Sequence, residues 1–255
     1  MSASSFDLQG RLALVTGSSR GIGNALARAL AQAGATVVLN GRDAAALEAA
    51  RAQFAAQGLA AHAIAFDVTD ETQVCAAIDR IEGEIGPLDI LVNNTGVQIR
   101  APLENFTTAD WNRIVQTNLT SVFLVSRAAV QPMIRRRRGK IVNVLSVNAE
   151  CARYSIAPYS ATKGALKMLT KGMCVDWARY NIQVNGLGPG YFATDLTRPL
   201  VEDAEFTGWI RKRVPAGRWG DVAELGGAVV FLASPASDFV NGHVLYVDGG
   251  MTASL

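Results

Sequence analysis

The stretch Leu12-Ala-Leu-Val-Thr16-Gly-Ser-Ser-Arg20-Gly-Ile-Gly23-Asn-Ala-Leu-Ala-Arg-Ala-Leu30-Ala-Gln-Ala33 decides the fold. A short apolar run reads as a buried strand. It passes straight into a loop with glycines at 17, 21 and 23, and then into an Ala- and Leu-rich helical pattern that Gly34 can stop by adopting a left-handed conformation. The three glycines suit a tight turn, a close approach of backbone to a pyrophosphate, and close packing of helix on strand. The uncapped N–H groups and positive dipole end of the helix would face the phosphates.

Working outward, six more runs rich in β-branched and aliphatic residues recur at 36–40, 61–66, 88–93, 140–146, 183–187 and 243–247, separated by longer helical patterns. They are apolar almost throughout, as strands covered on both faces must be, and strand-helix alternation requires a parallel sheet. Asp43 reads as the N-cap of the Ala-rich stretch 44–57, and Pro158 sits near the start of a long helix ending about Tyr180, where its missing N–H costs little. Neither a linker nor a repeat breaks the pattern. The expected fold is α/β, a single Rossmann-type domain over 1–255, with a doubly wound parallel sheet of seven strands and helices on both faces.

The 255 residues carry a net charge of +2 and are 49% hydrophobic, so a full core can form and no large basic field calls for nucleic acid. Four consecutive arginines at 135–138 close a helical pattern and read as a solvated, dipole-complementing helix end. Cys75, Cys151 and Cys174 are odd in number and unpaired in sequence, which implies a reducing compartment and no zinc site, and His62 and His243 stand alone. The segment 1–10 lacks the charged and apolar regions of a signal peptide, and no run is long enough to span a bilayer. The expectation is a cytoplasmic protein with a small-molecule substrate, no resident metal, and neither a membrane nor nucleic acid as partner.

Ligands of such sheets bind outside the carboxyl ends of the strands. There Asp67 follows the third strand and could accept an adenine amino group, and Asn93-Asn-Thr-Gly96 follows the fourth beside the ribose. The second strand ends in Asn40-Gly-Arg42 instead of the acid that would read the 2′-hydroxyl of NAD. Arg20 and Arg42 together could fork onto a 2′-phosphate, so NADP(H) is favoured over NAD(H).

Tyr159 and Lys163, four apart at a helix start, share one face, where the ammonium would favour tyrosinate and bring the phenol towards a working pKa. Ser146 ends the fifth strand thirteen residues upstream, with a hydroxyl suited to bonding a reacting oxygen. Asn118 sits where an amide in an apolar pattern needs a partner.

Taken together, Thr16-Gly-x-x-x-Gly-x-Gly23, Asn93-Asn-Thr-Gly96, Asn118, Ser146, Tyr159-x-x-x-Lys163 and Pro189-Gly190 resemble the short-chain dehydrogenases/reductases over essentially the whole chain. The resemblance implies hydride transfer between a nicotinamide and a carbonyl or hydroxyl carbon. It assigns Tyr159 as proton donor or acceptor, Ser146 as carbonyl polariser, Lys163 as ribose binder, Asn118 as holder of a relay water, and Thr194 to the nicotinamide carboxamide. It also implies a homotetramer, for which two long helices at about 118–135 and 158–180, with Ala161, Gly164, Ala165 and Gly172, offer close-packing surfaces. The expected cofactor set is Gly17, Ser19, Arg20, Gly21, Ile22, Gly23, Asn40, Arg42, Asp67, Val68, Asn94, Gly96, Tyr159, Lys163, Pro189, Gly190 and Thr194. Thr95 departs from the alanine usual in that turn, and its hydroxyl is expected to find a local partner.

The segments around 98–100, 148–156 and 191–213 follow the fourth to sixth strands and should wall the substrate pocket. Arg100 and Arg153, with Arg198 behind them, are the candidates for meeting an anionic substrate, beside Ser146 and Tyr159. Stretches such as 38–43, 100–104, 156–163, 190–194 and 215–220 resemble family members acting on sugar acids. Reductases of 3-oxoacyl chains on acyl carrier protein and of other keto-sugars or polyols share the same frame. A dinucleotide-sensing scaffold without chemistry is the non-enzymatic alternative, against which the intact Asn118, Ser146, Tyr159 and Lys163 set argues.

Overall fold

Each of the seven apolar runs forms a strand in the computed structural model, which describes residues 5–194 and 197–255. The first four positions of the N-terminal stretch, and 195 and 196 in the segment expected to wall the pocket, lie outside the described residues. In chain order the elements are β1 (Leu12–Val15), α1 (Gly21–Gln32), β2 (Thr36–Gly41), α2 (Ala44–Ala55), β3 (Ala61–Ala65), α3 (Glu71–Arg80), β4 (Leu88–Asn93), α4 (Thr108–Val115), α5 (Ser121–Arg136), β5 (Gly139–Val144), α6 (Ala157–Trp177) and β6 (Ile182–Pro189). The two-residue strand β7 (Phe192–Ala193), α7 (Arg198–Val201), α8 (Ala204–Arg213), β8 (Gly220–Asp221), α9 (Gly226–Ala233) and β9 (Val244–Val247) complete the chain.

The main sheet runs β3-β2-β1-β4-β5-β6-β9 with every neighbour parallel. Alternate strand residues feed two cores. Leu12, Leu14 and Leu91 pack towards α3, α5 and α6, while Ala13, Val15 and Val92 pack towards α1, α2 and α9. Burial on both faces is why the strand sequences show no polar alternation. From β1 the chain winds one way through β2 and β3 and the other way through β4, β5 and β6, so a crevice opens between the carboxyl ends of β1 and β4.

The local signals act as the sequence suggests. Asp43 accepts from the Ala45 and Ala46 amides at 3.0 Å each, Gly34 has φ +104°, and Pro158 lies in the first turn of α6. The arginine run differs from expectation. Arg136 forks onto Glu82 at 2.6 and 3.0 Å, Arg138 reaches the buried Asp89 at 2.5 Å, and Arg137 donates to the Arg179 carbonyl. These contacts lie beside the starts of β4 and β5, at the end of the sheet opposite the crevice, so the run ties helix to sheet and is not simply solvated.

Candidate functional site

The glycine loop is built to admit a ligand's phosphates. Gly17 and Gly21 have φ of +62° and +60°, and a Cβ on Gly23 would lie 2.3 Å from the Gly17 carbonyl oxygen and 2.4 Å from the Asn94 amide. Arg20 is the N-cap of α1, yet no side chain caps this helix and its first turn holds no acid, leaving its leading N–H groups for an external anion. A fixed cradle and an uncapped helix end fit a dinucleotide pyrophosphate.

Around this cradle the structure separates residues that face outward from residues that hold the loop. Asn40 is 1% exposed. Its Oδ1 accepts from the Gly17 amide at 3.3 Å, and its Nδ2 donates to the Phe66 carbonyl at 3.1 Å. Its side chain is therefore spent on the loop, which leaves the expected cofactor contact to its main chain. Asn94 is likewise spent on the loop, donating to the carbonyls of Thr16 and Gly17 at 3.0 Å each. Ser18, which sequence reasoning left unused, locks the same turn by accepting from the Asn40 amide and donating to the Val15 carbonyl. Val68 puts its side chain into the core, and Ile22, in the first turn of α1, packs partly buried against the core under α1, α2 and α9, leaving their main chains to meet a ligand. Ser19 lies beside Gly41, with its Oγ 3.8 Å from where a Cβ there would stand.

Arg42 is 78% exposed in its side chain and stands 3.9 Å from Asp67, whose other oxygen accepts from the Thr69 amide and hydroxyl. Thr95 corrects the expectation of a local partner, because its hydroxyl is buried without one. It lies 2.9 Å from the place a Cβ on Gly17 would occupy, so it closes over that glycine.

The chemical residues converge at the next strand ends. Ser146 follows β5 in extended conformation, caps the short helix Val147–Ala149 by accepting from the Asn148 amide at 3.1 Å, and is nearly buried. Tyr159 and Lys163 lie on α6, with the Lys163 ammonium 5.7 Å from the Tyr159 ring centre. Lys163 is 4% exposed and donates to the Val144 carbonyl at 2.7 Å; burial lowers its pKa to about 8. For Tyr159 burial dominates and pushes the phenol up, against a hydrogen bond from Ser146 that pulls it down, with Tyr191 adding to the rise. The direction reverses the one expected from the lysine alone: in the protein by itself the phenol is held protonated.

Asn118 sits in a π-helical turn, Gln116–Thr120, that joins α4 to α5. Its Oδ1 accepts from the Val97 amide at 2.8 Å, and its Nδ2 donates to the Val97 carbonyl at 2.9 Å and the Thr162 hydroxyl at 3.3 Å. The side chain thus braces the 93–97 turn and α6, and Gly96 passes beside it: a Cβ there would be 3.4 Å from Asn118 Oδ1 and 3.9 Å from Lys163 Nζ. Pro189 ends β6, Gly190 has no room for a Cβ, which would meet the Asp248 backbone at 2.8 Å, and Thr194 is held through its amide and hydroxyl by Thr197.

Beyond Tyr159 lies a charged and aromatic wall. Burial lowers Arg100, and the nearby Arg153 lowers it further, opposed by Tyr191. Tyr191 is in turn pushed up by burial and drawn down by Arg153 and Arg100. The Ala101 amide donates to the Ser155 carbonyl at 3.1 Å, which ties the segments of the two arginines, and Arg153 lies over Phe206, whose ring centre is 5.8 Å from that of Tyr191. Among the described residues neither arginine has an acidic partner; Arg100 makes one long contact to Gln98 at 3.4 Å. Arg198 stands elsewhere, lining the cleft between α1 and α7 with Gly21 and Thr194. Tyr191 had not been singled out from the sequence; its place directly after Pro189-Gly190 was the available signal.

Fold and site define a nicotinamide-dinucleotide oxidoreductase. The chain belongs to the short-chain dehydrogenase/reductase family. A family profile described as Enoyl-(Acyl carrier protein) reductase matches residues 17–252. Gluconate 5-dehydrogenase of Gluconobacter oxydans is 58% identical over 250 residues, covering 98% of both chains, and 5-keto-D-gluconate 5-reductase of Escherichia coli is 50% identical with the same coverage. The crystal structure of a gluconate 5-dehydrogenase from Burkholderia cenocepacia in complex with NADP and tartrate superposes with a TM-score of 0.96 at 56% identity, covering 98% of each chain. No helix among the described residues is long and apolar enough to cross a membrane, and no group of metal-ligating side chains occurs among them.

Proposed function

We propose that the protein is an NADP-dependent gluconate 5-dehydrogenase, interconverting 5-ketogluconate and gluconate. The observation that carries this reading is the pair Arg100 and Arg153, on segments tied together by the Ala101 amide donating to the Ser155 carbonyl at 3.1 Å, neither with an acidic partner among the described residues. Two cations without a counter-ion among the described residues, near a proton-donating phenol, call for a substrate that carries an anion a few atoms from its carbonyl. The named relatives act on such a sugar acid, and the Burkholderia complex contains tartrate, a hydroxy dicarboxylate.

When bound, the dinucleotide supplies or accepts the hydride. In reduction Tyr159 donates its hydroxyl proton to the carbonyl oxygen as negative charge develops there, and it takes that proton back in oxidation. Ser146 stabilises the same oxygen with its hydroxyl. Lys163 spends one N–H on Val144, leaving its others for the ribose and for resupplying Tyr159. With both Nδ2 hydrogens engaged by the Val97 carbonyl and the Thr162 hydroxyl, the Asn118 side chain keeps the turn and α6 in register, and it takes part in proton supply only as an acceptor that holds a relay water. Arg20 and Arg42 flank the phosphate cradle without an acid at position 40, which favours NADP over NAD.

We also propose a homotetramer in the cytoplasm. Phe123 on α5 and Met168 and Val175 on α6 are exposed apolar side chains, and Gly164 and Gly172 face open space, as surfaces awaiting a second copy would. The three thiols are free, which suits a reducing compartment. A 3-oxoacyl carrier-protein reductase would need a basic docking face at the pocket, whereas Arg136 and Arg138 are committed to Glu82 and Asp89 at the far end of the sheet.

The test is NADPH oxidation by purified protein with 5-ketogluconate, neutral keto-sugars and a 3-oxoacyl thioester. Turnover of 5-ketogluconate should dominate, and Arg153→Ala should cut its kcat/KM about ten- to a hundredfold, the worth of a charge-assisted hydrogen bond, while sparing a neutral keto-sugar. Absence of 5-ketogluconate turnover defeats the sugar-acid reading.

A further inference from the structure

Arg153 lies on the 151–156 segment, and its guanidinium carbon sits 4.8 Å from the ring centre of Phe206 on α8. Its Nε is buried and makes no hydrogen bond, and among the described residues no carboxylate comes within ion-pair reach. Phe206 itself is fixed on several sides. Its ring centre is 5.8 Å from that of Tyr191 and 5.9 Å from that of Trp219. Its amide donates to the Asp203 cap at 3.1 Å, and the Trp219 indole N–H donates to Thr207 on the same helix at 3.1 Å. A cation without an ion-pair partner among the described residues is therefore laid against an anchored ring.

We infer that Phe206 is the positioning residue that aims Arg153 at the substrate's carboxylate, an inference that rests on the sugar-acid reading given above. Arg100 and Arg153 repel one another, and an ion pair to either would consume the N–H groups needed for an anion. A ring face solves both difficulties: it attracts the guanidinium through its quadrupole while leaving the in-plane N–H edges free. The aromatic helix α8 thereby contributes to specificity without touching the carboxylate itself.

The test compares Phe206→Leu, Phe206→Trp, Arg153→Ala and the Phe206→Leu/Arg153→Ala double variant. For Phe206→Leu the KM for 5-ketogluconate should rise about five- to tenfold, the worth of a partly desolvated cation–π contact. Its kcat should stay within about twofold and its NADPH affinity, read by fluorescence, should be unchanged. Phe206→Trp should restore the wild-type KM, and the double variant should be no worse than Arg153→Ala alone. The inhibition constant of tartrate, which needs no turnover, should rise with the KM. Equal losses for charged and neutral substrates, or additive single effects, would overturn the role of Phe206 and leave the sugar-acid reading standing. If Arg153→Ala itself fails to distinguish charged from neutral substrates, the carboxylate reading falls and this inference falls with it.

Discussion

Lys163 donates from Nζ to the Val144 carbonyl at 2.7 Å, which pins the start of α6 to the end of β5 and buries the ammonium. Burial lowers the lysine pKa to about 8, so the cation is present below that pH and is lost above it. If the ammonium serves ribose binding and proton supply, kcat/KM for reduction should decline as pH rises through about 8. Lys163→Arg, which does not titrate there, should move that limb upward even if its rate is lower. A limb at the same pH in the arginine variant would assign it to another group.

Tyr159→Phe should bind NADPH as tightly as wild type while kcat falls at least ~10²–10⁴-fold, the range for losing a positioned proton donor. Fluorescence titration and single-turnover kinetics separate the two effects. Turnover near wild type would remove Tyr159 from the proton step.

Arg42 is exposed, and Asp67 stands 3.9 Å from it. Arg42→Ala should raise the KM for NADPH about tenfold or more and change that for NADH less than about twofold, because only one of them carries the phosphate. Equal changes would show that Arg42 does not read the phosphate.

Gly23→Ala would force a Cβ to within 2.3 Å of the Gly17 carbonyl oxygen. Dinucleotide binding should fall below detection by calorimetry, and the melting temperature should drop by several degrees, since the Gly17 backbone and the Asn94 side chain that holds it would have to move. Gly83→Ala, where nothing lies within 4 Å, is the control and should bind normally.

Light scattering at micromolar concentration should give about four times the chain mass of 27.0 kDa. Placing charge on the exposed face of α6, as in Met168→Glu with Val175→Glu, should lower the assembly state. A wild-type monomer would refute the tetramer.

The strands and glycine loop were legible because each strand is buried on both faces and each glycine answers a local demand. Less legible were polar residues whose partners are distant in sequence. Asn40 and Asn94 stand at strand ends, where a side chain can equally face a ligand or the loop, and only the fold shows that both hold the loop. Asn93, Asn143, Ser126 and Thr170 form a buried chain of hydrogen bonds across β4, α5, β5 and α6 with no sequence periodicity to announce it. Arg136 and Arg138 read as solvated until the starts of β4 and β5 are seen beside them. The aromatic group of Tyr191, Phe206, Trp209 and Trp219 spans one helix and two loops, so no local pattern links all its members.

The meeting of Arg153 with Phe206 has a consequence for how such a chain can diversify. Two of the excursions that build the pocket wall, one after β5 and one after β6, meet at this cation–ring pair and pack together through Val147, Ile210 and Val214. A library that randomises one excursion alone would strand the other half of the contact, and most of its variants would lose their original ligand without acquiring a new one. Productive retargeting requires the two segments to change together, while the sheet, its glycine loop and the arginine ties at the opposite end can be inherited untouched.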